Sequence, residues 1–89
     1  MNEVEESLQS FLIGKSAEIL KISAADVLWD ADIDEFGFDS MEVNRLCVEL
    51  NEYFAIAVQP VVFLEVTSLQ GLSQHLLERF PVEIERRCI

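Results

Sequence analysis

One short string concentrates the chemical potential of this 89-residue chain: Asp34-Glu35-Phe36-Gly37-Phe38-Asp39-Ser40-Met41-Glu42-Val43. A glycine-containing acidic turn there presents a single serine at the start of an amphipathic helix. A hydroxyl at a helix start lies near unpaired backbone donors and the positive end of the dipole, so a phosphate on its oxygen meets a favourable field. The flanking carboxylates oppose that benefit, and they make sense on a surface shaped for a visiting basic enzyme. From the local pattern alone the blander reading prevails, in which Asp39 or Ser40 caps the helix and Glu42, three residues after Asp39, completes a capping box.

Other chemistry is poorly supplied. His75 is the only histidine, so neither a Cys-His pair nor a multi-His metal site can be assembled, and a lone serine without a base gives little support to a small acidic hydrolase. No catalytic residue and no metal ligand set is assigned. Asp30-Ala31-Asp32-Ile33-Asp34 lacks the glycine turn and the closing glutamate of an EF-hand loop, which leaves at most a weak incidental divalent site. Cys47 falls at an apolar helical position and reads as a small core residue; with Cys88 it makes no disulfide framework.

Seventeen acidic against six basic residues give a formal charge of -11, which disfavours nucleic acid and anionic membranes and points to basic patches on other proteins. The length suits one domain, and a composition 51% apolar and 26% charged suits a globular one. Residues 2–7 do not open a signal peptide, and no apolar run approaches the roughly 20 residues that span a bilayer. A reducing, cytoplasmic setting and a monomeric state are expected.

The elements that must position Ser40 follow from apolar spacing. Val4, Leu8, Phe11, Leu12, Ile19, Leu20 and Ile22 predict a first helix over residues 4–22, with Gly14 weakening its middle by about 1 kcal/mol. Residues 23–39 carry five aspartates and one glutamate and read as a long loop pinned by Val27, Leu28, Ile33 and Phe36; Trp29 joins them or lies partly exposed. A second helix over residues 40–54 buries Val43, Leu46, Cys47, Leu50 and Phe54 and turns Glu42, Arg45, Glu49 and Glu52 to water. Residues 55–58 form an extended, buried connection. Pro60 sits in the first turn of a short third helix over residues 61–65. Thr67 or Ser68 starts a fourth with the stripe Leu69, Leu72, Leu76, Leu77 and Phe80, ended by Pro81. The fold class is all-α, one domain over residues 1–81, followed at 82–89 by a frayed helical extension or a linker.

Gly37-Phe38-Asp39-Ser40-Met41 resembles the Gly-x-Asp-Ser-(Leu/Met/Ile) attachment motif of acyl carrier proteins. The resemblance runs from the first helix to about Phe80. It takes in the acidic loop, the helix opened by the serine, the Pro-led string Pro60-Val61-Val62-Phe63-Leu64-Glu65 and the Thr67-Ser68-Leu69 start. The wording Phe36-Gly37-Phe38-Asp39-Ser40, with Asn51-Glu52-Tyr53-Phe54 after it, is most similar to carrier domains of modular polyketide synthases, and specialised free-standing bacterial carriers look alike.

The resemblance implies an acyl-carrier-like four-helix bundle. In it a phosphopantetheinyl transferase moves 4'-phosphopantetheine from coenzyme A onto the Ser40 hydroxyl, with Gly37 and Asp39 framing the attachment point. The arm's thiol then carries acyl or polyketide intermediates as thioesters, in polyketide, fatty acid or related lipid assembly, and the protein itself is no enzyme. The implied partners are an acyltransferase, a ketosynthase or other acyl-processing enzymes with basic surfaces. Met41, Asn44 and Val48, at i, i+3 and i+7, offer them a contact strip beside Glu42, Glu49 and Glu52, with Arg45 interrupting the acidic face. For any single charge, solvation of the helix face is an equal explanation. Alternatives are a peptidyl carrier, disfavoured by Phe38-Asp39, and an acidic helical interaction module with no prosthetic group. Met1 and the one-domain length lean toward a free-standing protein over an excised domain.

Overall fold

The computed structural model describes residues 2–88, and its first element is helix α1, Glu3–Leu20. Asn2 caps it by accepting the Glu5 N–H at 2.9 Å, and Glu3, Glu5 and Glu6 lie at the positive end of the dipole. The helix stops short of the predicted Ile22 because Lys21 turns left-handed at φ 58° and the N–H groups of Lys21 and Ile22 both return to the Ala17 carbonyl. Leu8, Leu12 and Ser16 are its innermost residues. Ser16 shares the stripe's spacing, but as a polar residue it was invisible to an apolar count. A Cβ at Gly14 would meet nothing within 4 Å, so no packing demand explains that glycine.

Two 3-10 turns, Ala24–Asp26 and Ile33–Phe36, shape the acidic loop. An isolated antiparallel bridge pairs Asp32 with Ser68. Beside it the Ile33 N–H donates to the Thr67 carbonyl at 2.9 Å, and the Gln70 N–H to that of Trp29 at 3.0 Å. Val27 and Ile33 are buried anchors, while Phe36 and Trp29 pack half-buried against the core. Leu28 is not an anchor: it stands 44% exposed. Val27 is in extended backbone and takes the inward place, so its neighbour points the other way. The anchor missed by spacing is Phe38, only 5% exposed and edge-on to Phe36.

Helix α2 spans Ser40–Phe54, the predicted bounds, and buries Leu46, Cys47, Leu50 and Phe54, with Val43 packed half-buried beside them. Its outer face is less uniform than expected. Arg45 and Glu52 face water, but Glu42 and Glu49 are half-buried, because Glu42 folds back onto the helix start and Glu49 leans toward the Lys15 ammonium at 3.6 Å. The connection over 55–58 is also only partly buried: Ala55 and Ala57 are exposed, Ile56 is half-buried and Val58 buried. Extended backbone alternates its side chains, so half of it must face out.

The short third helix is a 3-10 turn, Pro60–Leu64, displaced one residue from the predicted 61–65. Helix α3, Leu69–Arg79, is the predicted fourth helix. Ser68 caps it through the Gly71 N–H at 3.0 Å; Leu69, Leu72 and Leu76 are fully buried, and Leu77 and Phe80 half-buried. Pro81 ends that helix and opens another, α4, Pro81–Cys88, where a missing N–H costs nothing. Of the two options for the tail the helical one describes residues 82–88; Ile89 lies outside the described residues. Ile84 is fully buried, and the Arg87 guanidinium lies 4.1 Å from the Tyr53 ring centroid. The described residues thus form an all-α bundle of four α-helices without a named strand. Among them no helix is long and apolar enough to cross a membrane.

Candidate functional site

Ser40 is the first residue of α2 and is exposed. The cap is Asp39. Its Oδ1 accepts the N–H groups of Met41 at 2.9 Å and Glu42 at 3.4 Å, and Glu42 Oε1 accepts the Asp39 N–H at 3.2 Å, completing the capping box. Ser23 and Ser68, also at helix starts, do cap through their hydroxyls. Among the described residues no side-chain hydrogen bond engages the Ser40 hydroxyl, so the choice left open between Asp39 and Ser40 falls on Asp39. Ser40 is left at the helix start with its oxygen free.

Gly37 makes the presentation possible. It closes the Ile33–Phe36 turn at φ 120°, with its N–H donating to the Ile33 carbonyl. The nearest atom to a Cβ there would be a Leu20 methyl at 3.6 Å, an ordinary contact. Backbone conformation, not space, therefore demands glycine. Phe38 next plunges into the core and Asp39 emerges to cap, which leaves Ser40 standing out.

The Asp39 carboxyl is held below the ordinary aspartate range, first by its side-chain hydrogen bond with Glu42 and then by the backbone N–H groups of Glu42 and Met41. Those two N–H groups are occupied by Asp39, so a phosphate on Ser40 would rely on the remaining helix-end field and would meet the Asp39 charge beside it. A cleft of about 320 Å³ lined by Ile33, Phe38, Phe63 and Thr67, with Asp32, Asp34 and Asp39 also on its wall, opens next to Ser40. Free hydroxyl, exposed helix start and adjacent cleft together fit a flexible phosphate-linked arm.

The residues expected to form a recognition strip differ in exposure. Met41 is 76% exposed, and Asn44, Arg45, Val48 and Glu52 are exposed with it; Glu42 and Glu49 are drawn toward the protein. Spacing missed Val61 and Leu64, 60% and 83% exposed on the Pro60–Leu64 turn. The signal available was the shortness of that turn, too brief to hide every apolar residue. His75 is half-buried along a separate groove with Arg79. Cys47 is buried and Cys88 half-buried, both free, and burial pushes both thiols up, away from reactivity. Among the described residues no three metal-capable side chains converge.

The described residues form a helical bundle that leaves Ser40 uncommitted at a capped helix start. Residues 10–76 match the family model described as the phosphopantetheine attachment site, and the chain belongs to that family. It is 30% identical over 71 residues to acyl carrier protein TtuC of Teredinibacter turnerae, covering 80% of this chain and 82% of that protein. It is also 26% identical over 76 residues to polyketide synthase PksN of Bacillus subtilis, covering 85% of this chain but only 1% of that protein. The prosthetic group of the family is a covalently attached 4'-phosphopantetheine.

Proposed function

We propose that Ser40 is the attachment point and that the chain is an acyl carrier, tethering acyl or polyketide intermediates and presenting them to enzymes. The observation that carries this reading is the division of labour at the start of α2: Asp39 performs the capping, so the Ser40 hydroxyl has no structural duty and projects from the surface. In the loading step Ser40 Oγ forms a bond to the β-phosphorus of coenzyme A. The phosphoanhydride bond breaks, 3',5'-ADP leaves, and the hydroxyl proton passes to a base of the transferase. When bound, the group supplies a thiol that holds the acyl chain as a thioester. The chain's own residues supply the rest: Gly37 sets the turn, Phe38 anchors it, Asp39 holds the helix start, and Met41, Asn44 and Val48 offer contact area to the visiting enzyme.

The -11 charge supports partners with Lys- and Arg-rich faces, among them the transferase and acyl-processing enzymes such as an acyltransferase or ketosynthase. A polyketide cargo is favoured by the similarity to polyketide synthase PksN, and a general acyl cargo by that to acyl carrier protein TtuC. Intact-mass measurement after incubation with coenzyme A and a broad-specificity phosphopantetheinyl transferase tests the attachment. One phosphopantetheine is gained by the parent chain and none by Ser40→Ala, which keeps its melting temperature because an exposed, unbonded hydroxyl contributes little to stability. A parent chain that gains no mass overturns the reading.

A further inference from the structure

We propose that the cleft between Trp29, the start of α1 and one face of α3 is a docking pocket for a single arginine side chain of a basic partner protein. None of its walls comes from α2, and the site stands whether or not Ser40 is loaded.

Three segments that meet only in the folded chain build the pocket. Glu5 comes from α1, Trp29 from the acidic loop, and Gln70, Ser73, Gln74 and Leu77 from α3, where spacing i, i+3, i+4 and i+7 puts them on one face. The Gln70 N–H donates to the Trp29 carbonyl at 3.0 Å and fixes the loop against that helix. Glu5, Trp29 and Leu77 are half-buried, and Ser73 is only 6% exposed. The polar groups on these walls are nonetheless unspent. Among the described residues no ion pair reaches Glu5, and no side-chain hydrogen bond engages Gln70, Ser73, Gln74 or the Trp29 indole. A nearly buried hydroxyl without a protein partner calls for something in the cleft to complete it.

The chemistry of the walls selects the occupant. A carboxylate beside an indole ring attracts a cation, and the chain's -11 charge reinforces that attraction. Two carboxamides and a hydroxyl surround the carboxylate with further acceptors, which suits a flat group carrying several donors better than the point charge of an ammonium. The pocket volume, about 130 Å³, lies well below the roughly 300–1,000 Å³ of sites that enclose whole small molecules. One side chain fills it, with Leu77 beside the methylene stem. A second copy of this chain, itself charged -11, is repelled, so the arginine belongs to a basic protein.

Trp29 is the only tryptophan, so its indole N–H gives one resolved cross-peak in the NMR spectrum of the isotope-labelled chain. Titration with N-acetyl-arginine amide is expected to shift that peak and the side-chain amide peaks of Gln70 and Gln74 saturably. N-acetyl-lysine amide binds about threefold more weakly or worse, because it lacks the planar set of donors. Free arginine binds no more tightly than the capped residue, because a pocket sized for one side chain gives its charged main-chain groups no contact. Glu5→Gln weakens the capped residue about threefold, as loss of one partly exposed ion pair requires. Gln74→Ala, at an exposed position, weakens it about twofold and keeps the test open if Glu5→Gln does not fold. Glu3→Gln removes an exposed carboxylate from the same helix start, off the pocket wall, and leaves the affinity unchanged. Absence of a saturable shift, equal affinity for the lysine compound, tighter binding of free arginine, or wall variants that change nothing overturns the proposal. Equal weakening by Glu3→Gln overturns it too, by reducing the effect to diffuse charge. Each of these outcomes leaves the loading of Ser40, read by intact mass, to stand or fall separately.

Discussion

At the scale of single residues, the start of α2 separates two jobs that neighbouring polar residues often share. Asp39 is ionised to serve as a cap, and its hydrogen bonds favour the charged form, so its folded-state pKa lies below its unfolded value. The sign follows from linkage: Asp39 contributes stability above the ordinary aspartate pKa and loses it as pH falls through the depressed folded value. Asp39→Ala is therefore expected to melt below the parent at neutral pH, and the gap is expected to narrow on acidification toward about pH 3. Thermal melts of both proteins across that range check it, and a gap independent of pH would count against the cap. Adjacency alone could not assign these jobs, since Asp39 and Ser40 are both good cap residues. Which oxygen reaches the N–H groups of Met41 and Glu42 is a matter of geometry.

At the scale of elements, helix periods and stops were legible wherever the deciding contacts are three or four residues apart. The bounds of α2 came through for that reason, and the start of α3 was narrowed to Thr67 or Ser68, of which Ser68 caps. Leu28 and Phe38 exchanged roles because the loop's direction is set by hydrogen bonds to Thr67 and Gln70, more than thirty residues ahead in the chain. Helix α4 is the clearest case. Its eight residues are too few to hold a helix in isolation, and they are held by packing Ile84 into the core and Arg87 over Tyr53. Ile84→Ala is expected to cost about 2–5 kcal/mol, a large share of the stability of a domain this small. Urea unfolding checks it; a shift under about 0.5 kcal/mol, typical of a surface position, would show that α4 does not close the core.

At the scale of the whole molecule, charge governs encounter more than fold. Only two carboxylates, Glu18 and Glu49, lie within ion-pair distance of a base among the described residues, and both share Lys15. The remaining negative charge is available to steer basic partners. The transferase KM for the carrier is expected to rise steadily between low and physiological ionic strength, as the screening length shortens to about 8 Å. Glu52→Lys is expected to raise KM at low salt and to matter less as salt increases. Steady-state loading at several salt concentrations checks both, and an unchanged KM throughout would remove steering from the account. Glu52 is the better probe than Glu49, whose reversal would also set two ammonium groups against each other at Lys15. The sequence by itself determined the acidic balance, the helical periods and the Gly-x-Asp-Ser order, since each is a property of composition or of residues within a turn of one another. Only the tertiary structure decided that Asp39 caps while Ser40 stands free, that Phe38 and Ile84 are core, and that Asn51 holds Val58. The core places of Phe38 and Ile84 depend on chain segments meeting across the bundle, the Asn51–Val58 pairing on the chain turning back within seven residues, and the first on where one carboxylate oxygen comes to rest.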